Sequence, residues 1–521
     1  MESNIHSYHS FMFPFRWDYI IKKSQKETQE FTDRTNLADF DKVFSKCNTL
    51  KKTKYVIAND NLRYNEYVYF HDFVKKVIFY TGDDQQDPND FDMLYYELDG
   101  NEGDYFSIKT VNDGDFNLSF EGISMHIYST GVGILCFNLN NYSYSKKEEI
   151  LKINEFGRRM FPQFLGDNSL KSVKETFLAD QISGQIGPIF FEENFEQYSG
   201  RIDTNSSFMP PDFVKKVFGY KGQDLEDGKK DFVFRKNHED KGKIRISKLT
   251  DDRMFFLCWY GNDELSTEYQ RKVKNNNMDI HKNDWWYKYV YGDKAYKTIA
   301  NSEMQKKVMA KNTYSRWSEY GTFYGMTRDS FVCVSSSRKT LGSIDLYQHM
   351  RTMYYQMAVL CLAQRASVLR FSYEVSLITD TLEKEPNPNK MIQDLYKNYI
   401  QFINKLYFRE ITSQSQGIEI YTQFQSEMNL AADVKDLDKE ISELHEYVSI
   451  VQDSNLNKIA LWFLPLGAIA GLLGANMFDT DNFSNPSNGI WFTGVAWLVG
   501  MITVSFLISG FLGKYLNRKR K

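Results

Sequence analysis

Residues Ile459–Phe478 read IALWFLPLGAIAGLLGANMF, twenty consecutive uncharged residues. As a helix this stretch is roughly 30 Å long, the thickness of a bilayer's hydrocarbon core. A second uncharged run, Ile490–Gly513, follows after the eleven-residue loop DTDNFSNPSNG. Two spans are therefore expected, 459–478 and 490–513, joined by an external loop 479–489. Lys458 precedes the first span, and Lys514, Arg518, Lys519, Arg520 and Lys521 make a basic tail (514–521) after the second. The loop instead carries Asp479 and Asp481. Basic residues gather on the cytoplasmic side, so this pattern predicts a multi-pass protein of the cell inner membrane with both termini cytoplasmic.

Reading back from the first span, Val451, Val448, Leu444, Ile441, Leu437 and Val434 recur at alternating spacings of three and four, the stripe of a helix packed along its length. No Pro or Gly lies between Ile418 and Pro465, which predicts an uninterrupted rod with a cytoplasmic stalk over 413–458. The opposite face carries Asp453, Leu456, Ala460, Leu464, Gly467 and Gly471, continuing downward through Ser449, Glu446, Ser442, Lys439 and Lys435. That row suits the lining of a narrow pore opening into a wet funnel. It also suits an ordinary surface helix whose glycines mark close packing, and spacing does not separate the two. Two spans per chain enclose no path, so a pore needs several copies around an axis.

The run Phe463–Asn476, ending a long helix and followed by a short loop, a second span and a basic tail, resembles the CorA family of divalent-cation channels and transporters over about residues 340–521. The family's pattern there is Gly-Met-Asn; this chain has Gly474, Ala475 and Asn476, which departs at the middle position. The resemblance implies a homopentamer with the first spans lining the pore. It also implies a selectivity ring in which Asn476 and the carbonyls around Gly474 hold a hydrated divalent cation, Mg2+ or similar, as the transported ion. Asp479 and Asp481 would gather cations at the outer mouth, or are simply solvated loop acids. Lys458 and the terminal cluster would form a basic inner collar in contact with lipid headgroups.

Composition bounds the rest. The 521 residues leave room for a large soluble region, and the 42% hydrophobic fraction is enough to build its core. A formal net charge of −4 disfavours direct nucleic-acid binding through bulk basicity. Cys47, Cys136, Cys258, Cys333 and Cys361 lack CxxC or paired spacing, which fits reduced thiols. The N-terminus has no basic segment followed by an apolar one, so no signal peptide is expected.

Residues 1–50 read as a polar, weakly structured lead, with His6 and His9 in a mobile tail. Strands are predicted at Tyr55–Ala58, Glu66–Phe70, Leu94–Leu98 and Tyr105–Thr110, and then over Asn117–Leu139, turning at Gly131 to Gly133. A helix is expected at Lys146–Phe164, followed by strands near Pro188–Phe191, Asp231–Arg235, Lys243–Leu249, Met254–Tyr260, Trp286–Tyr291 and Tyr320–Ser335. From about Asp345 the apolar spacing turns helical, and the prolines of Glu383–Asn389 divide an antiparallel hairpin. The expected fold class is thus an α/β cytoplasmic domain (1–340), a helical hairpin (341–412), the long α-helical stalk and two C-terminal transmembrane helices, in a CorA-like homopentamer.

No P-loop, GxGxxG after a strand, HExxH or nucleophile elbow is present, so an enzyme is not expected. Three functional readings follow. The first is a CorA-like pentameric channel for divalent cations, gated by the large domain. The second, implied by divergent CorA-like effectors of type III CRISPR antiviral defence, is gating by a nucleotide second messenger, an adduct of S-adenosylmethionine and AMP. The third is a membrane-anchored scaffold or enzyme without a pore. Expected partners are other copies of the chain, the lipid bilayer and the nucleotide ligand, with no covalent cofactor. Arg158 and Arg159 are the candidate nucleotide contacts, against the alternative of a solvated helix face.

Overall fold

Ser7–Ile21 (β1) runs through the middle of a 15-stranded sheet, and every side chain from Ser7 to Phe15 is buried. The computed structural model describes residues 5–21, 31–34, 36–57, 60–82, 92–162, 173–176, 178–198, 210–219, 231–234, 242–275, 279–337, 346–381, 389–447, 449–450, 499–500 and 503. The other strands are β2 (Phe31–Arg34), β3 (Lys51–Lys52), β4 (Met93–Asp99), β5 (Tyr105–Lys109), β6 (Phe116–Tyr128), β7 (Val132–Asn141), β8 (Gln181–Ile186) and β9 (Ile189–Asn194), then β10 (Asp231–Phe234), β11 (Gly242–Lys248), β12 (Phe255–Gly261), β13 (Thr313–Tyr314), β14 (Phe323–Thr327) and β15 (Ser330–Ser335). The main path is β13-β14-β15-β12-β1-β7-β6-β5-β8-β9, with β4 on β6 and β11 on β1. Only β12 and β15 pair in parallel among the described strands.

The sequence of β1 explains its position. Ser7–Met12 pairs with β12 and Phe15–Ile21 with β11 on one edge, while β7 covers Ser7–Arg16 on the other. Pro14, which has no N–H to give, falls in the gap between β12 and β11, where its carbonyl accepts from Leu249 at 3.3 Å. On the opposite edge Phe15 faces Gly133, where a Cβ would stand 2.2 Å from the phenyl ring. The expectation of a loosely structured lead over 1–50 is therefore corrected. The proline argues against a central strand until its place in the pairing is known.

The other strand expectations agree with β4 to β7, β9 to β12, β14 and β15, except Tyr55–Ala58, which is not a strand over its described residues 55–57. Two expected strands are helices. Glu66–Phe70 belongs to α2 (Asn61–Tyr69), whose start is set by the Asp60 carboxylate accepting from Leu62 N–H at 2.8 Å. Trp286–Tyr291 lies in a helix, Asp284–Tyr291, capped by Asn283 and ended by Gly292 at φ 67°. Caps at both ends outweigh the β preference of an aromatic run. Before them comes α1 (Leu37–Phe44), and between them α3 (Asp72–Ile78) and α4 (Lys147–Gly157).

The expected fold class, with two C-terminal membrane helices, is corrected. Among the described residues no helix is long and apolar enough to cross a membrane, and the fold is mixed α/β on one large sheet. The longest described helix, Met353–Thr381, has 29 residues, but Arg365, Arg370, Glu374 and Asp380 interrupt its apolar surface. The membrane-protein and ion-channel reading and the multi-pass inner-membrane localisation are corrected with it. Residues 459–498 lie outside the described residues, as does 490–513 apart from Val499, Gly500 and Thr503.

The rod predicted from Ile418 is also interrupted. The helix Ser415–Glu427 ends before Asn429, which takes the left-handed conformation at φ 56°, and the chain is helical again over 430–447. Asparagine supplies that conformation where a search for Gly and Pro sees nothing. The apolar stripe is present, with Val434, Leu437 and Ile441 buried.

The chain divides into two compact units, Met1–Leu377 with Lys397–Leu437, and Ile378–Tyr396 with Asp438–Lys521. The first holds the sheet. In the second, Tyr396 stacks on His445 with ring centroids 4.3 Å apart. Within the first unit the long helix is fastened to the sheet by Arg370. Its guanidinium donates to the Trp17 and Gly131 carbonyls at 2.8 and 2.6 Å, and pairs with Asp18 at 2.8 Å and Glu374 at 2.7 Å. Removing it takes the charged donor from both carbonyls and the cation from Glu374, and leaves Asp18 with Arg16 at 3.1 Å. Arg370→Ala is expected to cost about 3–5 kcal/mol, read as a lower urea midpoint.

Candidate ligand pocket

The expected selectivity ring Gly474, Ala475 and Asn476 lies outside the described residues. So do the expected pore residues Asp453, Leu456, Ala460, Leu464, Gly467 and Gly471, the loop acids Asp479 and Asp481, and the collar of Lys458, Lys514, Arg518, Lys519, Arg520 and Lys521. Arg158 and Arg159 are described, and both are buried rather than on a solvated face. Arg158 donates to the Gly292 carbonyl at 3.0 Å and lies over the Phe256 ring at 5.2 Å; burial pushes its pKa down to about 10. Arg159 pairs with Glu155 at 2.9 Å and with Asp252. Gly292 must stay a glycine here, because a Cβ would meet Phe256 and Arg158 within 3 Å. These arginines hold α4 to its neighbours and line neither of the two cavities described below.

Polar side chains converge elsewhere, in a cavity of about 360 Å3 over one face of the sheet. Strand register builds its floor. Glu97 of β4 stands opposite Ser124 of β6, and Asn138 of β7 stands between Gly122 of β6 and Ser10 of β1. Side chains two apart share a face, so Tyr95 and Glu97 present to the same side. The roof comes from α2, carrying Arg63 and Glu66, and from the stretch holding Arg351, Tyr355 and Gln356. Tyr8, Tyr55 and Tyr80 complete an aromatic wall, and Lys54 reaches the rim.

Hydrogen bonding assigns protons on this floor. Glu66 is buried and its carboxyl is pushed above the usual carboxylate range by loss of hydration. Its Oε1 accepts from Gln356 at 3.1 Å, and its Oε2 lies 2.8 Å from the Tyr55 hydroxyl. Tyr55 has one proton and also lies 2.8 Å from the Arg63 carbonyl, which can only accept. That proton is shared between the carbonyl and Glu66, and loss of hydration holds the Glu66 carboxyl towards its neutral form. Tyr355 and Ser124 share a 2.6 Å bond beside it, and burial holds the Tyr355 and Tyr95 hydroxyls protonated.

One wall is not satisfied. Arg351 forms an ion pair with Glu121, donates to Gln348 at 3.0 Å and packs over Tyr347 at 5.1 Å. Its Nε and the Glu121 Oε2 are nonetheless buried without a hydrogen-bond partner among the described residues. Both atoms are closed off from solvent, and each unpaired polar atom costs about 1–3 kcal/mol.

A second constellation has catalytic geometry without access. Ser7 Oγ lies 2.8 Å from His9 Nε2, and His9 Nδ1 lies 2.8 Å from Asn154 Oδ1. The arrangement is that of nucleophile, base and orienting group. All three are 0% exposed and none lines either cavity, so the chain of bonds ties β1 to α4. Among the described residues no group of three or more His, Cys, Asp or Glu could hold a metal ion.

Sequence reasoning missed the pocket because its residues come from separate elements and share no spacing. Asp60 as a helix cap was the one local signal, since it would have turned Glu66 and Arg63 onto a helix.

Burial pushes the His9 imidazole down from 6.5 to about 4 and that of His126 to about 3. Both are neutral when folded, whereas the unfolded chain protonates them below about pH 6.5. The unfolded state then binds more protons, so their stabilisation is whole above pH 6.5 and is lost as the pH falls towards 4. His9 accounts for about 3 kcal/mol of that loss. His9→Gln should flatten the fall in urea midpoint between about pH 7 and pH 4.5, and an unchanged fall would refute the assignment.

No family model, no curated protein and no solved structure matches this chain.

Proposed function

We propose that this chain is a receptor for a small nucleotide-type messenger bearing both charges, held in the pocket between α2, Tyr355 and the β4–β6 floor. The adduct of S-adenosylmethionine and AMP, expected from the resemblance, has that chemistry. The observation that carries the reading is a tyrosine-lined cavity that gathers Lys54, Arg63 and Arg351 together with Glu97, Asp99 and Glu121. Tyr55, Tyr80 and Tyr95 offer faces for a base, and stacking on such rings is worth about 1–3 kcal/mol per base. Lys54, Arg63 and Arg351 can meet a phosphate or carboxylate, and Glu97, Asp99 and Glu121 an ammonium or sulfonium. That mixture favours a zwitterion over a polyphosphate. The volume of about 360 Å3 falls within the range of small-ligand sites. Nothing among the described residues favours the expected cation channel over this reading.

Thermal melting and calorimetry of the full chain with S-adenosylmethionine, AMP and their adduct test it. The adduct is expected to raise the melting temperature, with a stabilisation of about 2.7 kcal/mol when free ligand reaches 100 times Kd. Arg351→Ala should weaken binding about 10-fold or more by removing a charge-assisted bond. Absence of binding by all three compounds sinks the messenger reading, and full affinity in Arg351→Ala sinks the pocket assignment.

A further inference from the structure

The hexapeptide Asp-Phe-Val-Lys-Lys-Val occurs twice, at Asp72–Val77 in α3 and as the helix Asp212–Val217. Identical sequences make identical amphipathic helices, yet their phenylalanines meet different fates. Phe213 is fully buried, with ring centroids 5.6 Å from Phe137 and 6.1 Å from Phe191. Phe73 is 58% exposed and opens onto a cavity of about 590 Å3. The protein covers one copy and leaves the other facing a hollow.

Among the described residues, charge in that hollow is unbalanced. Three ammonium groups line it, those of Lys75, Lys76 and Lys405, against two carboxylates. Lys75 pairs with Asp72 at 2.6 Å and lies over the Tyr67 ring at 4.4 Å; Lys405 pairs with Asp92 at 2.7 Å. Lys76 has no carboxylate within ion-pair distance among the described residues. The Asp72 side chain is 97% exposed, so its hold on Lys75 is heavily screened by solvent and yields readily to a competing anion. Beside the ammoniums, Phe73 and Phe408 form an apolar wall with centroids 5.7 Å apart. Phe79 and Tyr80 close the back, and the same two residues also line the 360 Å3 pocket.

We propose that this second cavity binds a small phosphate monoester carrying an aromatic group, its phosphate among the three lysines and its ring against Phe73 and Phe408. Lysine binds phosphate as a mobile point charge, and the uncovered phenylalanine supplies the surface that Phe213 finds within the protein. The site goes beyond the messenger pocket and stands whether or not that pocket binds its ligand.

Calorimetric titration of the full chain with phenyl phosphate, and with inorganic phosphate as the bare anion, tests the proposal. Phenyl phosphate should bind once and more tightly than inorganic phosphate. Lys76→Glu should weaken it about fivefold or more, as expected for losing and reversing one exposed ammonium. Phe73→Ala should erase the preference for the aryl compound while leaving inorganic phosphate unchanged. Both side chains are exposed, and an unchanged melting temperature certifies the fold of each variant. The absence of saturable binding at about 10 mM overturns the proposal. So does full affinity in Lys76→Glu, and so does loss of affinity in Arg351→Ala with Lys76→Glu unaffected, which would place the anion in the other pocket.

Discussion

A strand buried on both faces must find a partner for its backbone along both edges, and β1 meets that demand over fifteen residues. Two collinear partners, β12 and β11, serve one edge, while β7 and then β2 serve the other. Much of the rest of the first unit hangs from this arrangement. By strand alternation Tyr8 and Ser10 look towards the pocket, and His9 looks the other way towards Asn154 of α4. At the far end the Trp17 carbonyl receives Arg370 from the long helix. A change of register by one residue would exchange these faces, which places a tyrosine in the α4 contact and an imidazole over the pocket.

Legibility in the sequence followed the range of the determining interaction. Strands β4 to β7 were readable because alternation and the turn at Gly131 are local, as were the apolar rows of Asn389–Lys405 and of 430–447. Glu66–Phe70 and Trp286–Tyr291 misled, because their aromatic content favours strands and only the caps at Asp60 and Asn283 say otherwise. The central strand was hidden by Pro14, whose tolerance depends on strands more than two hundred residues away, at β11 and β12. The pocket was beyond reach for the same reason. Arg351 and Glu121 are 230 positions apart, and no periodicity joins them. The apolar runs near the C-terminus were read for membrane spans on hydropathy, and the described helices contain none that fit.

The pocket's walls are chemically quiet. Burial holds the Tyr95 and Tyr355 hydroxyls and the Glu66 carboxyl towards their neutral forms, so they act through hydrogen bonds and shape. Fixed charge stands in the floor at Glu97, in the roof at Arg63 and on the Arg351–Glu121 wall. A ligand held in a site so arranged would be selected by its fit to these neutral hydrogen-bonding groups, because one that lacks a matching group leaves a buried polar atom unpaired. Selectivity then rests on the penalty for the wrong ligand more than on the strength of the right one.

Phe79 and Tyr80 line both hollows. Close-packed rings cannot yield towards one hollow without withdrawing from the other, so the two spaces compete for a fixed volume. Thermodynamic reciprocity then fixes the outcome: whatever tightening or loosening one occupant imposes on the other, it receives by the same factor. Where both hollows are filled, the occupant of each therefore sets the affinity of the other.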